Sequence, residues 1–249
     1  MKMKKSIFVF LLMLLPVLAH ADMVEIDGVK YFILSDHAAV MKKDGGGYTG
    51  DVVVPATVNY QGKTYQVTEV LSYAFSGNDN LKSVVLPEGL VKICDCVFFA
   101  AHNLETVQMP STITSWGNSV FAGCTSLKTF FLPDFLTEVP RNTFDGCSSL
   151  TNIELSDKIT AIGEKAFAFC DGIKTIKIPA SVTMIDESAF WNCNPKTVYC
   201  YAEKVPETVE GAFDLLDFEG VTLYVPAASI AAYKKDEAWK GFTKVVGIK

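Results

Sequence analysis

The chain has 249 residues, with 22 Lys and Arg against 28 Asp and Glu, and a formal net charge of −6. That acidic balance argues against nucleic acid and against an anionic membrane surface as partners. The length bounds the molecule to one sizeable domain or one repeat array.

Residues 1–21 read as an export leader. Lys2, Lys4 and Lys5 make a basic start, Ile7 to Leu18 is apolar apart from Pro16, and Ala19-His20-Ala21 is a small-x-small cleavage site. The apolar run is short for a membrane span, so cleavage before Asp22 is expected, with no span afterwards. Loss of those three lysines leaves 19 basic residues against 28 acidic ones.

Residues 22–66 read as a β-rich N-terminal cap that includes a first, stretched repeat. Val24 to Leu34 alternates around Asp27-Gly28, a hairpin signal. Tyr60-Gln61-Gly62-Lys63 predicts a second hairpin, and Val52-Val53-Val54-Pro55 anticipates the strand-and-proline unit that follows. Gly45-Gly46-Gly47 lacks the Lys-Ser/Thr of a phosphate-binding loop and reads as a flexible turn.

Residues 67–220 carry a fixed period. Phe75, Phe98, Phe121, Phe144, Phe167, Phe190 and Phe213 recur every 23 residues. A period of that size implies a solenoid. Six residues after each of the first five stand Leu81, Leu104, Leu127, Leu150 and Ile173. Alternating apolar positions follow at Val84/Leu86, Val107/Met109, Phe130/Leu132, Ile153/Leu155 and Ile176/Ile178. Such alternation is a strand with one buried face. Pro87, Pro110, Pro133 and Pro179 stop it, Ser156 being the exception. A second apolar pair then recurs at Leu90/Ile93, Ile113/Trp116, Leu136/Val139, Ile159/Ile162 and Val182/Ile185, which fits a short segment on an opposite wall. No such coil buries its own apolar edges, so neighbours must stack.

Strings such as LKTFFLPDFLTEVPRNTFDGC and IKTIKIPASVTMIDESAFWNC resemble the BspA-like leucine-rich repeat family, over about residues 50–249. The resemblance implies a leucine-rich-repeat solenoid of 23-residue coils, β-rich with short non-strand turns. The chain departs from ordinary leucine-rich repeats in having no Asn ladder. Gly89, Thr112, Phe135, Lys158 and Ser181 stand where that Asn or Cys would be, so the turn must satisfy its backbone differently.

Residues 221–249 read as a C-terminal cap of strand, helix and strand. Val221 to Pro226 is a strand, Ala227 to Trp239 has helical composition behind a proline, and Thr243 to Ile248 is a final strand. Similar endings close BspA-like proteins.

Seven cysteines are present, and Cys124, Cys147, Cys170 and Cys193 share one repeat position. Asn78 and Ala101 occupy it earlier, which marks a small, buried slot. Ligands spaced along a line, without C-x-x-C or His, do not converge on a metal. Parallel Cβ vectors suit a cross-coil disulfide badly. A structural column of free thiols is expected.

No catalytic, metal or cofactor constellation is legible. His37 and His102 lack a neighbouring nucleophile motif, and the carboxylates Asp95, Asp145, Glu164, Asp186 and Glu187 are scattered singly through turns. Outward columns on the strand wall run Ser83/Thr106/Thr129/Asn152/Thr175 and Val85/Gln108/Phe131/Glu154/Lys177. Phe131 breaks the second column, and Phe135 and Phe99 are other apolar residues at positions that vary toward polar. Phe131 and Phe135 are therefore candidates for a contact patch, against the alternative of local packing. The resemblance implies a secreted or surface-exposed bacterial protein that binds a protein or glycan, with adhesion to host matrix as one form of that role. The alternative expectation is a periplasmic structural or accessory protein that binds another envelope component.

Overall fold

The computed structural model describes residues 22–248; the leader read at 1–21 lies outside them. β1 (Asp22–Ile26) and β2 (Val29–Ile33) form an antiparallel hairpin. Asp27 and Gly28 both have left-handed φ, 49° and 82°, as a two-residue hairpin turn requires. The alternation of β2 buries Val29, Tyr31 and Ile33. β3 (His37–Val40) adds antiparallel to β2. β4 (Gly50–Val53) follows, and then the second expected hairpin, β5 (Thr57–Tyr60) with β6 (Lys63–Val70), turned by Gln61 and Gly62. The second half of β6 leaves that hairpin and pairs in parallel with β3.

From Leu81 the chain winds as a coil with a front strand and a two-residue back strand in each turn. They are β7 (Leu81–Val85) and β8 (Lys92–Ile93), β9 (Thr106–Gln108) and β10 (Ser115–Trp116), β11 (Thr129–Phe131) and β12 (Glu138–Val139), β13 (Asn152–Glu154) and β14 (Ala161–Ile162), β15 (Thr175–Ile178) and β16 (Met184–Ile185), and β17 (Thr197–Cys200) and β18 (Glu207–Thr208). The whole is a β-solenoid of about 8 turns, with little helix. The corner between front and back is closed by i to i+3 bonds onto Pro87, Pro133, Ser156 and Pro179 carbonyls, which satisfies the turn without an Asn ladder.

The third side of each coil is a turn built around the recurring Phe. Two residues before each Phe and two after, the backbone is left-handed, as at Ser119 and Gly123 around Phe121 or Asn142 and Gly146 around Phe144. A Cβ at Gly123 would lie 3.2 Å from Ala100 Cα, a tight approach that a side chain there could meet only if Ala100 gave way. Each Phe N–H but the last donates to a carbonyl on the following coil, from Phe75 onto Val97 through Phe190 onto Ala212, an unbroken rail. The rings fill the interior as one stack, with neighbouring centroids 5.2–5.8 Å apart and planes within 13° of parallel.

Both ends of the stack are plugged by tilted aromatics. At the N-terminal end Tyr48 sits 4.6 Å from Phe75. The Tyr48 N–H donates to Asn78 Oδ1 at 2.7 Å, and a Cβ on Gly47 would collide with that oxygen. Gly47 is therefore a close-packing residue, which corrects its reading as part of a flexible turn. At the C-terminal end β19 (Thr222–Pro226) and β20 (Lys244–Ile248) extend the front sheet in parallel. Between them α1 spans only Ile230–Lys235, behind a single 3-10 turn at Ala227–Ser229. The expected helix to Trp239 is thus cut short. Asp236 turns extended and its carboxylate accepts the Ala238 N–H at 3.0 Å. Trp239 is freed to pack edge-on against Phe213 at 4.8 Å and to donate to Thr208 Oγ1.

The walls are less regular than the sequence period. The front sheet runs β4-β7-β9, then β11-β13, then β15-β17-β19-β20; the back sheet breaks once, between β10 and β12. Only between the coil of β9/β10 and the coil of β11/β12 do both walls lose their ladder together. The turn rail continues across that junction, and there the Phe121–Phe144 spacing is 5.8 Å, the widest in the stack.

Because each ring is held between two others, truncating one at mid-array leaves a cavity that neighbours cannot fill. Phe144→Ala is expected to destabilise the fold by roughly 3–5 kcal/mol, read from urea unfolding.

Candidate functional site

Alternation along β11 turns Phe130 inward and Phe131 outward; Phe131 is 68% exposed. Phe135 lies past the Pro133-Asp134 corner and is 37% exposed. The two sequence-picked residues line one groove of about 630 Å³, with Met109, Pro110, Ile113 and Leu132 between and beside them. A second depression of about 380 Å³ adjoins it along Thr106–Met109 and Thr129–Phe131. Both lie between the coil of β9/β10 and the next one, where the ladders lapse. Glu88, Asp134 and Lys158 form the polar rim. The Lys158 ammonium donates to the Asp134 carbonyl at 3.0 Å, and Glu88 accepts from the Ser111 N–H at 3.1 Å. The groove is therefore apolar at its floor and carboxylate-bearing at its edge. Phe99 stands apart from it on the turn side, exposed.

To sequence reasoning Trp116 and Phe130 are ordinary members of apolar columns. In the structure they are the bulky exceptions that occupy this junction. Trp116 replaces the aliphatics Ile93, Val139 and Ile162, and Phe130 replaces Val84, Val107 and Ile153. Their ring centroids are 5.9 Å apart, and Phe130 also presses on Phe121 at 4.5 Å. The Trp116 Nε1 is buried without a hydrogen-bond partner among the described residues. The available signal is size against repeat consensus, together with Pro140. Gly117, Gly163 and Asp186 each donate a backbone N–H to the preceding coil from the position that Pro140 holds, and proline has none.

Cys124, Cys147, Cys170 and Cys193 lie fully buried, as free thiols in one file. Each thiol donates to a backbone carbonyl of the preceding coil, on Phe98, Phe121, Phe144 and Phe167, at 2.7–3.2 Å. The slot thus asks for a small side chain with a weak donor, which explains more than size does. Burial pushes the Cys124, Cys147 and Cys170 thiols well above their usual range. Cys94 and Cys96 are partly exposed. Among the described residues no group of three or more His, Cys, Asp or Glu is placed to hold a metal ion. His37 and His102 each sit beside one aspartate, Asp36 and Asp79, at 2.8 and 2.7 Å on the surface. Among the described residues, no helix is long and apolar enough to cross a membrane.

A front and a back parallel sheet joined by turns, repeating once per coil, define a leucine-rich-repeat solenoid. The family model for the BspA type leucine rich repeat region matches six copies over residues 68–196, so the chain belongs to that family. Curated proteins gave no match. Among solved structures, a leucine-rich repeat protein from Eubacterium ventriosum is similar at a TM-score of 0.56 and 23% identity, over 70% of this chain and 50% of that one. One from Bacteroides ovatus gives 0.51 at 16% identity, over 90% and 76%. The leucine-rich repeat protein of T. pallidum gives 0.50 at 19% identity, over 66% and 85%. At these identities the likeness is one of fold.

The burial pattern makes a chemical prediction. In the folded protein a thiol reagent is expected to modify Cys94 and Cys96 first, Cys94 more slowly than a free thiol because burial pushes its thiol up, and the other five only after denaturation, when seven thiols titrate. A folded-state titre above three at early times would show that the column is open, since Cys200 is the one buried thiol outside it.

Proposed function

We propose that the protein is an exported, non-enzymatic binding module that recognises its ligand through the groove framed by Phe131 and Phe135. The observation that carries this reading is the pair of exposed aromatic rings lining one groove, Phe131 where the flanking coils carry Gln108 and Glu154 and Phe135 where they carry Thr112 and Lys158. Aromatic side chains at the mouth of a pocket are what interface energy concentrates on. A rigid stacked array supports such a surface at little ordering cost. Export is supported by the leader at residues 1–21, and the BspA-like resemblance supports a bacterial cell-surface setting with a protein or glycan ligand, including host matrix.

The test is a binding screen of the protein against matrix proteins, mucins and glycan arrays, repeated with Phe131→Ser. Loss of one large anchor is expected to weaken binding by about tenfold or more. The thermal midpoint should barely move, since exposed substitutions shift stability by about 0.5 kcal/mol or less. Unchanged affinity for every ligand found would remove the groove from the binding surface. Cell fractionation separates the two settings, because recovery from the periplasm alone favours an envelope accessory role over outward-facing adhesion.

A further inference from the structure

The Phe stack is closed at its C-terminal end, but the front wall there is not. β20 is the last strand of that wall, and among the described residues nothing pairs with its outer edge. Val245 stands in register with Leu223 and Val198, which are fully buried. Val245 itself is only half-buried, as are Val246, Gly247 and Ile248. The core column thus ends without cover. The direction of the edge groups follows from the repeat. Thr197 donates its N–H back to the Lys174 carbonyl, Thr222 donates to the Lys196 carbonyl, and Lys244 comes next in that register. Successive residues of a strand aim their backbone groups at opposite neighbours. Lys244, Val246 and Ile248 therefore bond toward β19, and the N–H and C=O groups of Val245 and Gly247 point away from it. Other edges of the chain are guarded against pairing. β4, at the opposite end of the front wall, slips register between Gly50 and Asp51, and β1 carries Asp22 and Glu25. β20 keeps one regular register over its 5 residues, KVVGI, with no proline and no charge after Lys244. The segment before Asp22 joins the chain at β1, at the other end of the stack.

We propose that two copies of this chain pair edge to edge through β20, antiparallel about a two-fold axis at Val246, so that their front walls join into one sheet. In that register Val245 faces Gly247 of the second copy and Gly247 faces its Val245. Each of these pairs exchanges both backbone bonds, using the groups that the free edge points outward. Val246 meets Val246 of the second copy at the axis, as a pair without mutual hydrogen bonds, where side chains approach most closely. Lys244 falls opposite Ile248 of the second copy, so no two charges face each other. The added strand covers the half-open Val245, and the glycine opposite it leaves room. A two-fold contact closes on itself, whereas pairing β20 with β1 or β4 of another copy would repeat without end. The axis is perpendicular to the sheet, so both outer faces lie on one side of the dimer. β11 is five coils in from the edge, which puts the two Phe131 rings roughly 50–60 Å apart and facing the same way. On the groove reading, on which this consequence rests but the dimer does not, one dimer engages a repeating or surface-bound ligand at two points and gains avidity. A 5-residue edge is a small contact, so self-association in about the 1–100 µM range is expected.

Sedimentation velocity of the leader-cleaved protein across about 1–200 µM tests this. The expected result is a monomer that gives way to a dimer, with no larger species. Val246 lies in the outward column of Tyr199 and Tyr224, so charges placed there leave the core alone. Val246→Lys and Val246→Glu each set like charges side by side at the axis, and each alone should weaken the dimer about tenfold or more. Mixed in equal amounts, the two variants should form a heterodimer of roughly native affinity. Val245→Pro removes an outward N–H and no bond to β19, and should abolish the dimer. The charge pair decides the matter even if Val245→Pro does not fold. A protein that stays monomeric throughout overturns the proposal. So does a dimer unchanged by both charge variants, a mixture that forms no heterodimer, or oligomers that grow beyond two with concentration. Phe131→Ser should dimerise as the native protein does, so a failure of the groove reading leaves the dimer standing.

Discussion

The stack of seven Phe rings is the interaction on which the rest of the structure depends. Each coil has three short sides, and two of them offer only two to five residues of ladder. Sheets that narrow do not hold themselves together, since isolated short strands are marginal in water. The rings supply a continuous apolar axis, each nearly parallel to the next and buried on both faces. Offset-stacked rings contribute beyond the area they bury. The turn that carries each ring is the one side whose hydrogen bonds run unbroken from the first coil to the last. Left-handed residues on both sides of every Phe are what bend the backbone tightly enough to present the ring inward.

The ends follow from the same axis. A ring at either end of a stack exposes a face, and a parallel partner would only move the problem one coil further. Tyr48, Trp239 and Phe242 meet the terminal rings at 47–83° instead, which ends the stack. The caps therefore share a device although one is a pair of hairpins and the other a short helix between strands. Asn78 fits this picture. It holds the cysteine slot in the first coil, where the neighbour is the cap rather than another coil, and its amide oxygen receives the cap's Tyr48 N–H.

What is legible in the sequence is whatever one coil decides alone. Phe spacing, strand alternation, the stopping prolines and the Asp-Gly and Gln-Gly hairpins are properties of single segments, and each stands where the pattern puts it. What is not legible belongs to pairs of segments. A cysteine thiol that donates to a carbonyl of the preceding coil cannot be seen in one repeat, where Ala101 and Cys124 look interchangeable. Gly47 reads as flexible because nothing local shows Asn78 packed over it. Helical composition runs on to Trp239, but the Phe213 ring claims that indole and Asp236 ends the helix. The seam between the coil of β9/β10 and the coil of β11/β12, where both walls lose their ladder, is the plainest case. Trp116 and Phe130 each satisfy the apolar pattern, and only their meeting across two coils makes them a wedge. Pro140 alone carries a readable sign, a lost donor in a column of donors.

A solenoid can hold such a seam because its stability is approximately a sum over neighbouring coils. Three inter-coil bonds that flanking coils make are missing here, at Lys128, Thr137 and Pro140, and at a net ~0.5–1.5 kcal/mol each they are a large share of a typical domain's ~5–15 kcal/mol. Solvent can satisfy the exposed groups and reduce that loss, but it does not reach the buried Trp116 nitrogen, whose lost partner costs about 1–3 kcal/mol. The interface between these two coils is therefore the weak term in the sum, held by the Phe121–Phe144 contact, the turn rail and the Lys128–Glu105 end. A globular core would relax around so local a defect, because its elements touch many others. Here each coil touches only two, so the strain stays where Trp116, Phe130 and Pro140 put it. It stays beside Phe131 and Phe135, so the interrupted ladder and the exposed aromatic pair are two features of one junction.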